Sequence, residues 1–137
     1  MGKHLLIVDN EPQFRLLAAI ALKRAGYKIS EAITGHEALQ LISENREGFD
    51  LILTELALSG LTGIELIREL QKLEITTPVC VVTGSTDQEL IGTLLKNNCS
   101  GFVYKPFGLQ QLVDHVDGIL NEAQESPSDL QGKESMR

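Results

Sequence analysis

Residues 51–54, LILT, and residues 79–83, VCVVT, are runs in which apolar or β-branched side chains occupy consecutive positions. A strand with one wet face alternates, whereas a run that is apolar throughout belongs to a strand covered on both faces. Each run is followed by an amphipathic stretch with its own helix start. Thr62 with Glu65 forms a capping-box pattern in the stretch carrying Ile64, Ile67 and Leu70, and Thr86 with Glu89 does the same for Leu90, Ile91, Leu94 and Leu95. Buried strands joined by crossover helices make a parallel sheet.

The same alternation extends to both sides. Upstream, residues 5–8 (LLIV) form a β-rich run that stops at Asp9, and Pro12 suits the first turn of a helix. Phe14, Leu17, Ala18, Ala21, Leu22 and Ala25 follow at helical spacing and predict its buried face, with Gly26 closing it. Residues 27–32 read as a more polar strand near an edge. Thr34 with Glu37 then opens a helix through Ala38, Leu39, Leu41 and Ile42. Downstream, residues 102–104 are a fifth strand, and Leu109, Leu112, Val113, Val116, Ile119 and Leu120 mark a last helix. Five β-α units predict an α/β doubly wound sheet of five parallel strands with five helices, spanning residues 1–123. Residues 124–137 lose all periodicity and read as a disordered tail or linker.

Composition narrows the function. The chain has 137 residues, enough for one domain, with 42% apolar residues and only 4% aromatic. Its net charge is -7, and its twelve Lys and Arg residues are scattered, which argues against direct nucleic-acid binding. Cys80 and Cys99 read as free thiols of a reducing compartment. The start, MGKHLLIVDN, is too short in apolar residues for a signal peptide or a membrane span, so a cytoplasmic location is expected.

Ligands of doubly wound sheets bind outside the carboxyl ends of the strands, where strand order reverses. The residues just past each apolar run are Asp9, Asn10 and Glu11 after the first, Glu55 after the third, Thr83 and Gly84 after the fourth, and Lys105 with Pro106 after the fifth. Each has a plainer reading by itself. Asp9 suits a helix cap, Thr83 a strand end, Lys105 a solvated charge, and Phe102 the core. Their joint arrival at one edge of one sheet favours a site. His4, His36 and His115 form no such set.

The pieces LLIVDNEP, FDLILTELALSGLTGIE, VVTG and GFVYKPF, in this order and at these intervals, resemble the receiver domain of two-component response regulators over roughly residues 3–122. The resemblance implies strand order 2-1-3-4-5, flavodoxin-like, and a phosphorelay role. It implies an acceptor carboxylate at position 55, a Mg²⁺ site from Asp9, Asn10, Glu55 and the Ala57 carbonyl, and a phosphoryl-following hydroxyl at Thr83. It further implies a pairing lysine at Lys105, a cis peptide before Pro106, an aromatic switch at Phe102 and an open mouth at Gly84. The implied partner is a protein, a histidine kinase or a downstream effector, on the face of the fourth helix, fifth strand and fifth helix. A homodimer through that same face is also implied.

The sequence departs from this pattern where the chemistry is done. Glu55 stands where an Asp is expected, Asn10 where a second acid is expected, and Leu58-Ser59 where Met-Pro is usual, while Gly60 and Gly63 are kept. Asp50 precedes the third strand and lies at its opposite end. A carboxylate displaced by roughly an ångström loses orders of magnitude in a transfer that depends on positioning. A neutral amide in place of a carboxylate weakens a Mg²⁺ site. The leading expectation is therefore a degenerate, phosphorylation-independent receiver with no enzymatic activity, acting by protein–protein interaction. The alternative is a Mg²⁺-dependent receiver phosphorylated on Glu55. A flavodoxin-like nucleotide or flavin site would require a Gly-rich phosphate loop, and none follows any strand.

Overall fold

The computed structural model describes residues 2–45, 48–84, 89, 92–93, 99–105 and 108–124. Its elements run β1 (His4–Val8), α1 (Pro12–Arg24), β2 (Lys28–Ala32), α2 (Gly35–Glu44), β3 (Leu51–Glu55), α3 (Gly63–Lys72), β4 (Val79–Thr83), β5 (Gly101–Tyr104) and α4 (Leu109–Gln124). All adjacent strands pair in parallel, in the order β2-β1-β3-β4-β5. Of the helix predicted at Thr86, only Glu89, Gly92 and Thr93 are described. These three are helical, and the Thr93 hydroxyl donates to the Glu89 carbonyl at 2.9 Å, one turn back. Pro106 and residues 125–137, including most of the predicted tail, lie outside the described residues.

The two strand runs that predicted the fold are buried at every position, Leu51 to Glu55 and Val79 to Thr83. Their side chains alternate between two cores. Leu6, Val8, Ile52 and Val81 face α2 and α3 through Ala38, Ile42, Leu66 and Leu70. Leu5, Ile7, Leu51, Leu53, Cys80 and Val82 face α1 and α4 through Ala18, Leu22, Leu112 and Val116. Strand β2 lies at one edge and is half exposed, as its polar composition predicted.

The helix-start signals have their expected geometry. Thr62 and Glu65 form the reciprocal capping box of α3. At α2 the Thr34 hydroxyl accepts from the Glu37 N–H, but the Glu37 carboxylate reaches one residue further back, to the N–H of Ile33 at 2.9 Å. Gly26 ends α1 at a φ of 101°, in the left-handed region that favours glycine. The predicted buried face of α1 needs correction. Ala18, Ala19 and Leu22 are buried, whereas Leu17 is turned outward together with Leu16 and Ile20. With aliphatic residues at every position from Leu16 to Leu22, spacing alone does not choose a face; the sheet accepts the stripe containing the small alanines.

Helix α4 is tied to the end of α1 by the Tyr27 hydroxyl, which donates to the Asp117 carboxylate across 90 residues of chain. Burial, then this bond and the Asp117 charge, push the Tyr27 phenol well above its ordinary range, so it stays a donor through neutral pH. Tyr27→Phe should therefore destabilise the domain by about 1–2 kcal/mol, with the slope of urea unfolding unchanged, as read from the denaturation midpoint.

Candidate functional site

Asp9 follows the last buried residue of β1 and is itself only 1% exposed. Its N–H extends the pairing of β1 with β2 by donating to the Ala32 carbonyl at 3.1 Å. Its Oδ1 accepts the N–H of Glu11 at 2.9 Å, and its carbonyl accepts from the Arg15 guanidinium at 2.6 Å. Arg15 in turn lies 3.4 Å from the Glu31 carboxylate. Asp9 does not cap α1, whose N-cap is Glu11 with no side-chain cap bond; its Oδ1 closes a turn onto the Glu11 N–H just before the helix. Its Oδ2 remains for the site.

Glu55 ends β3 one residue beyond the predicted strand, and Thr54 holds its carbonyl with a 3.0 Å hydroxyl bond. The Glu55 Oε2 accepts the N–H of Leu56 at 2.6 Å, so the longer side chain folds back over its own strand end. Beyond it, Leu56 and Leu58 are buried with Ala57 exposed between them, and Gly60 takes a φ of 74°. Gly63 lies flush against this turn. A Cβ there would sit 2.7 Å from the Glu55 carbonyl and 3.0 Å from the Leu56 Cα, which explains why a glycine starts α3.

Lys105 joins these groups. Its N–H donates to the Thr83 carbonyl at 2.8 Å, which aims its side chain back over the sheet's carboxyl edge. Its Nζ lies 2.9 Å from Glu11 Oε1, 3.0 Å from Asp9 Oδ2 and 3.4 Å from Glu55 Oε1. The same Nζ stands 4.4 Å from the centre of the Phe14 ring, a cation–π contact from below. Burial lowers the Lys105 pKa, but hydrogen bonds to Glu11 and Asp9 and the charges of Asp9 and Glu55 more than offset this, leaving it raised. A lysine pKa raised on folding contributes stability that is complete below its unfolded value and is lost only as pH climbs through the folded one. Lys105 therefore keeps its charge across the neutral range.

The structure thus brings Asp9, Glu55 and Lys105 together and places buried Thr83 at the end of the neighbouring strand. Gly84 is exposed, and a Cβ there would meet nothing within 4 Å. Phe102 lies off the cluster, packed partly into the α2–α3 core with its ring edge-on to exposed Tyr104 at 4.7 Å. Asn10 and Ala57 are exposed at the rim. Asp50 binds the His4 N–H at 2.8 Å, at the opposite ends of the strands. Glu11, one of the residues expected just past the first strand, is the third carboxylate of the cluster, whereas Phe14, read only as part of a helix face, is the ring beneath the lysine. Only the spacing of Phe14 three residues after Glu11, on the first helical turn, hinted at its place.

The donor set fits Mg²⁺ in kind. Single carboxylate oxygens of Asp9, Glu11 and Glu55 lie within 4.8 Å of one another, and hard oxygens are what the ion takes. Those residues would hold it, and the ion would supply the charge neutralisation that phosphoryl transfer to a carboxylate needs. The Lys105 ammonium, however, is bonded to the same three residues, so an entering ion competes with a built-in cation. Lys105→Met should lower stability by about 3 kcal/mol at neutral pH, because it leaves buried carboxylates uncompensated. Added Mg²⁺ should raise the urea midpoint of this variant more than that of the parent chain. An equal Mg²⁺ response in both would contradict the competition.

Comparison with known proteins agrees with this architecture. The family model described as response regulator receiver domain matches residues 5–117. The chain is 36% identical over 124 residues to the phosphate regulon transcriptional regulatory protein PhoB of Pseudomonas aeruginosa, covering 88% of this chain and 52% of that protein. It is 26% identical to the chemotaxis protein CheY of Thermotoga maritima, over 87% of this chain and 98% of the other. A CheY-like receiver domain structure from Methanospirillum hungatei superposes with a TM-score of 0.82 at 27% identity, covering 89% and 96% of the two chains. The chain spans about half the length of several curated relatives it matches, the phosphate regulon protein among them.

Proposed function

This chain belongs to the response regulator receiver domain family of two-component signal transduction, and from that premise we propose that it is a degenerate receiver that signals without phosphorylation. The observation that supports this most strongly is the commitment of the acceptor position. Both oxygens of Glu55 are engaged, Oε1 by Lys105 at 3.4 Å and Oε2 by the Leu56 N–H at 2.6 Å. Attack on a phosphoryl donor needs a carboxylate oxygen aimed in line at open space. Here the extra methylene has instead let the carboxylate settle into the protein.

The metal side of the reaction is weakened in the same direction. Asn10 offers a neutral amide where the family has an acid, and Lys105 offsets part of the charge of the acids that remain and occupies their oxygens. The domain catalyses no turnover of its own in this reading. The Glu55 carboxylate carries one charge where a phosphoryl group carries about two, so it biases the switch only partially. Signalling then passes to a protein partner, a kinase or an effector. The surface is that of the predicted fourth helix, β5 with Phe102 and Tyr104, and α4, with Thr83 and Lys105 behind it.

Intact mass after incubation with acetyl phosphate and Mg²⁺ tests the proposal. The parent chain should keep its mass, while the double variant Asn10→Asp with Glu55→Asp should gain a phosphoryl group. A stable adduct on Glu55 of the parent chain would overturn the proposal and establish the Mg²⁺-dependent alternative.

A further inference from the structure

Asp9, Glu11 and Glu55 stand around one point, the Lys105 Nζ, at 3.0, 2.9 and 3.4 Å. The acid expected at position 10 is missing from this group, because Asn10 carries no charge and is exposed. Glu11, one residue on, restores the carboxylate. Its oxygen lies within 4.8 Å of those of Asp9 and Glu55. The three acids differ in freedom. Asp9 is buried with its Oδ1 on the Glu11 N–H, and Glu55 is held by its Oε2 on the Leu56 N–H. The Glu11 side chain is 61% exposed, so it is the one best able to adjust to an ion.

An ion that takes the place of the ammonium must draw these oxygens inward. Ca²⁺ binds oxygen at about 2.3–2.6 Å and Mg²⁺ at about 2.0–2.1 Å, so Mg²⁺ asks roughly 0.4 Å more of every ligand. That extra movement works against the N–H bonds fixing the second oxygens of Asp9 and Glu55. The kind of donor points the same way. Mg²⁺ sheds water reluctantly and takes few carboxylates in a strict octahedron, whereas Ca²⁺ accepts many oxygens in a flexible shell, amide carbonyls included. Three carboxylates, two of them on long Glu side chains, with the Asn10 amide and the exposed Ala57 backbone beside them, make a set of the second kind. Three carboxylates less one ammonium leave two negative charges, which a divalent ion balances.

We propose that Glu11 takes over the cation-binding role lost at position 10, and that the site it completes selects Ca²⁺ over Mg²⁺. This departs from the Mg²⁺ site that the receiver family implies, and the departure lies in Asn10, Glu11 and Glu55. It rests on membership of that family and not on the phosphorylation-independent reading, which the intact mass tests separately. Lys105 directly follows β5, so an ion that displaces its ammonium is linked to the strand carrying Phe102 and Tyr104.

Isothermal titration of the full chain with calcium chloride and, separately, with magnesium chloride at neutral pH tests this. The parent chain should bind Ca²⁺ roughly tenfold or more tightly than Mg²⁺. Glu11→Gln should weaken Ca²⁺ binding by roughly tenfold or more, and Asn10→Ala by less. The circular dichroism of both variants should match that of the parent, because both residues are exposed. The double variant Asn10→Asp with Glu55→Asp should turn the preference toward Mg²⁺. A parent chain that binds Mg²⁺ as tightly as Ca²⁺, or binds neither, overturns the proposal. So does a Glu11→Gln variant that keeps the parent's Ca²⁺ affinity, or a double variant that keeps its preference.

Discussion

The contact that organises the functional end of this domain is a single ammonium group held among three carboxylates. Asp9 and Glu55 are buried by the ends of two central strands, where the cost of an unpaired charge is several kcal/mol. Lys105 compensates both from the far side of β4, and Phe14 closes the space beneath it. One positive charge facing three negative ones leaves the cluster acidic, so it still attracts a cation while already containing one. The strand ends β1, β3 and β5 are in this way fastened to each other by side chains as well as by the backbone ladder.

Most of the fold was legible in the sequence because buried parallel strands leave a strong mark. Residues 51–54 and 79–83 carry it, and both are buried throughout. Capping signals at Thr34 and Thr62 located two helix starts to the residue, because a hydroxyl three positions before a Glu has a specific local geometry. The edge position of β2 followed from its polarity. Helix α1 was misread at Leu17 because its aliphatic residues go nearly all the way around, and only the sheet beneath decides which stripe is buried.

The site was legible in part, and for a different reason. Nothing in the spacing of Asp9, Glu55, Thr83 and Lys105 brings them together; the topology does, and the topology was readable. What stayed hidden was the direction of each side chain. Glu11, expected only as one of the acids at the sheet edge, proved to be a direct lysine partner, while Asn10 beside it is exposed. The backward turn of Glu55 onto the Leu56 N–H depends on a loop whose Leu56 and Leu58 are anchored in the core, and on the close approach of Gly63. Such details belong to three-dimensional packing and leave no periodic trace.

The bond between Asp9 and Lys105 spans 96 residues, and that between Tyr27 and Asp117 spans 90. Contacts this distant along the chain close late in folding, because the loop entropy must be overcome before they form. Until β5 arrives, β1 and β3 can pair only by bringing the Asp9 and Glu55 carboxylates side by side with no cation between them. Their repulsion penalises a sheet in which β1 and β3 have paired without β5, and Lys105 relieves it. The charged cluster thus couples β5 to the pairing of β1 with β3, a link between strands that the aliphatic core alone does not supply.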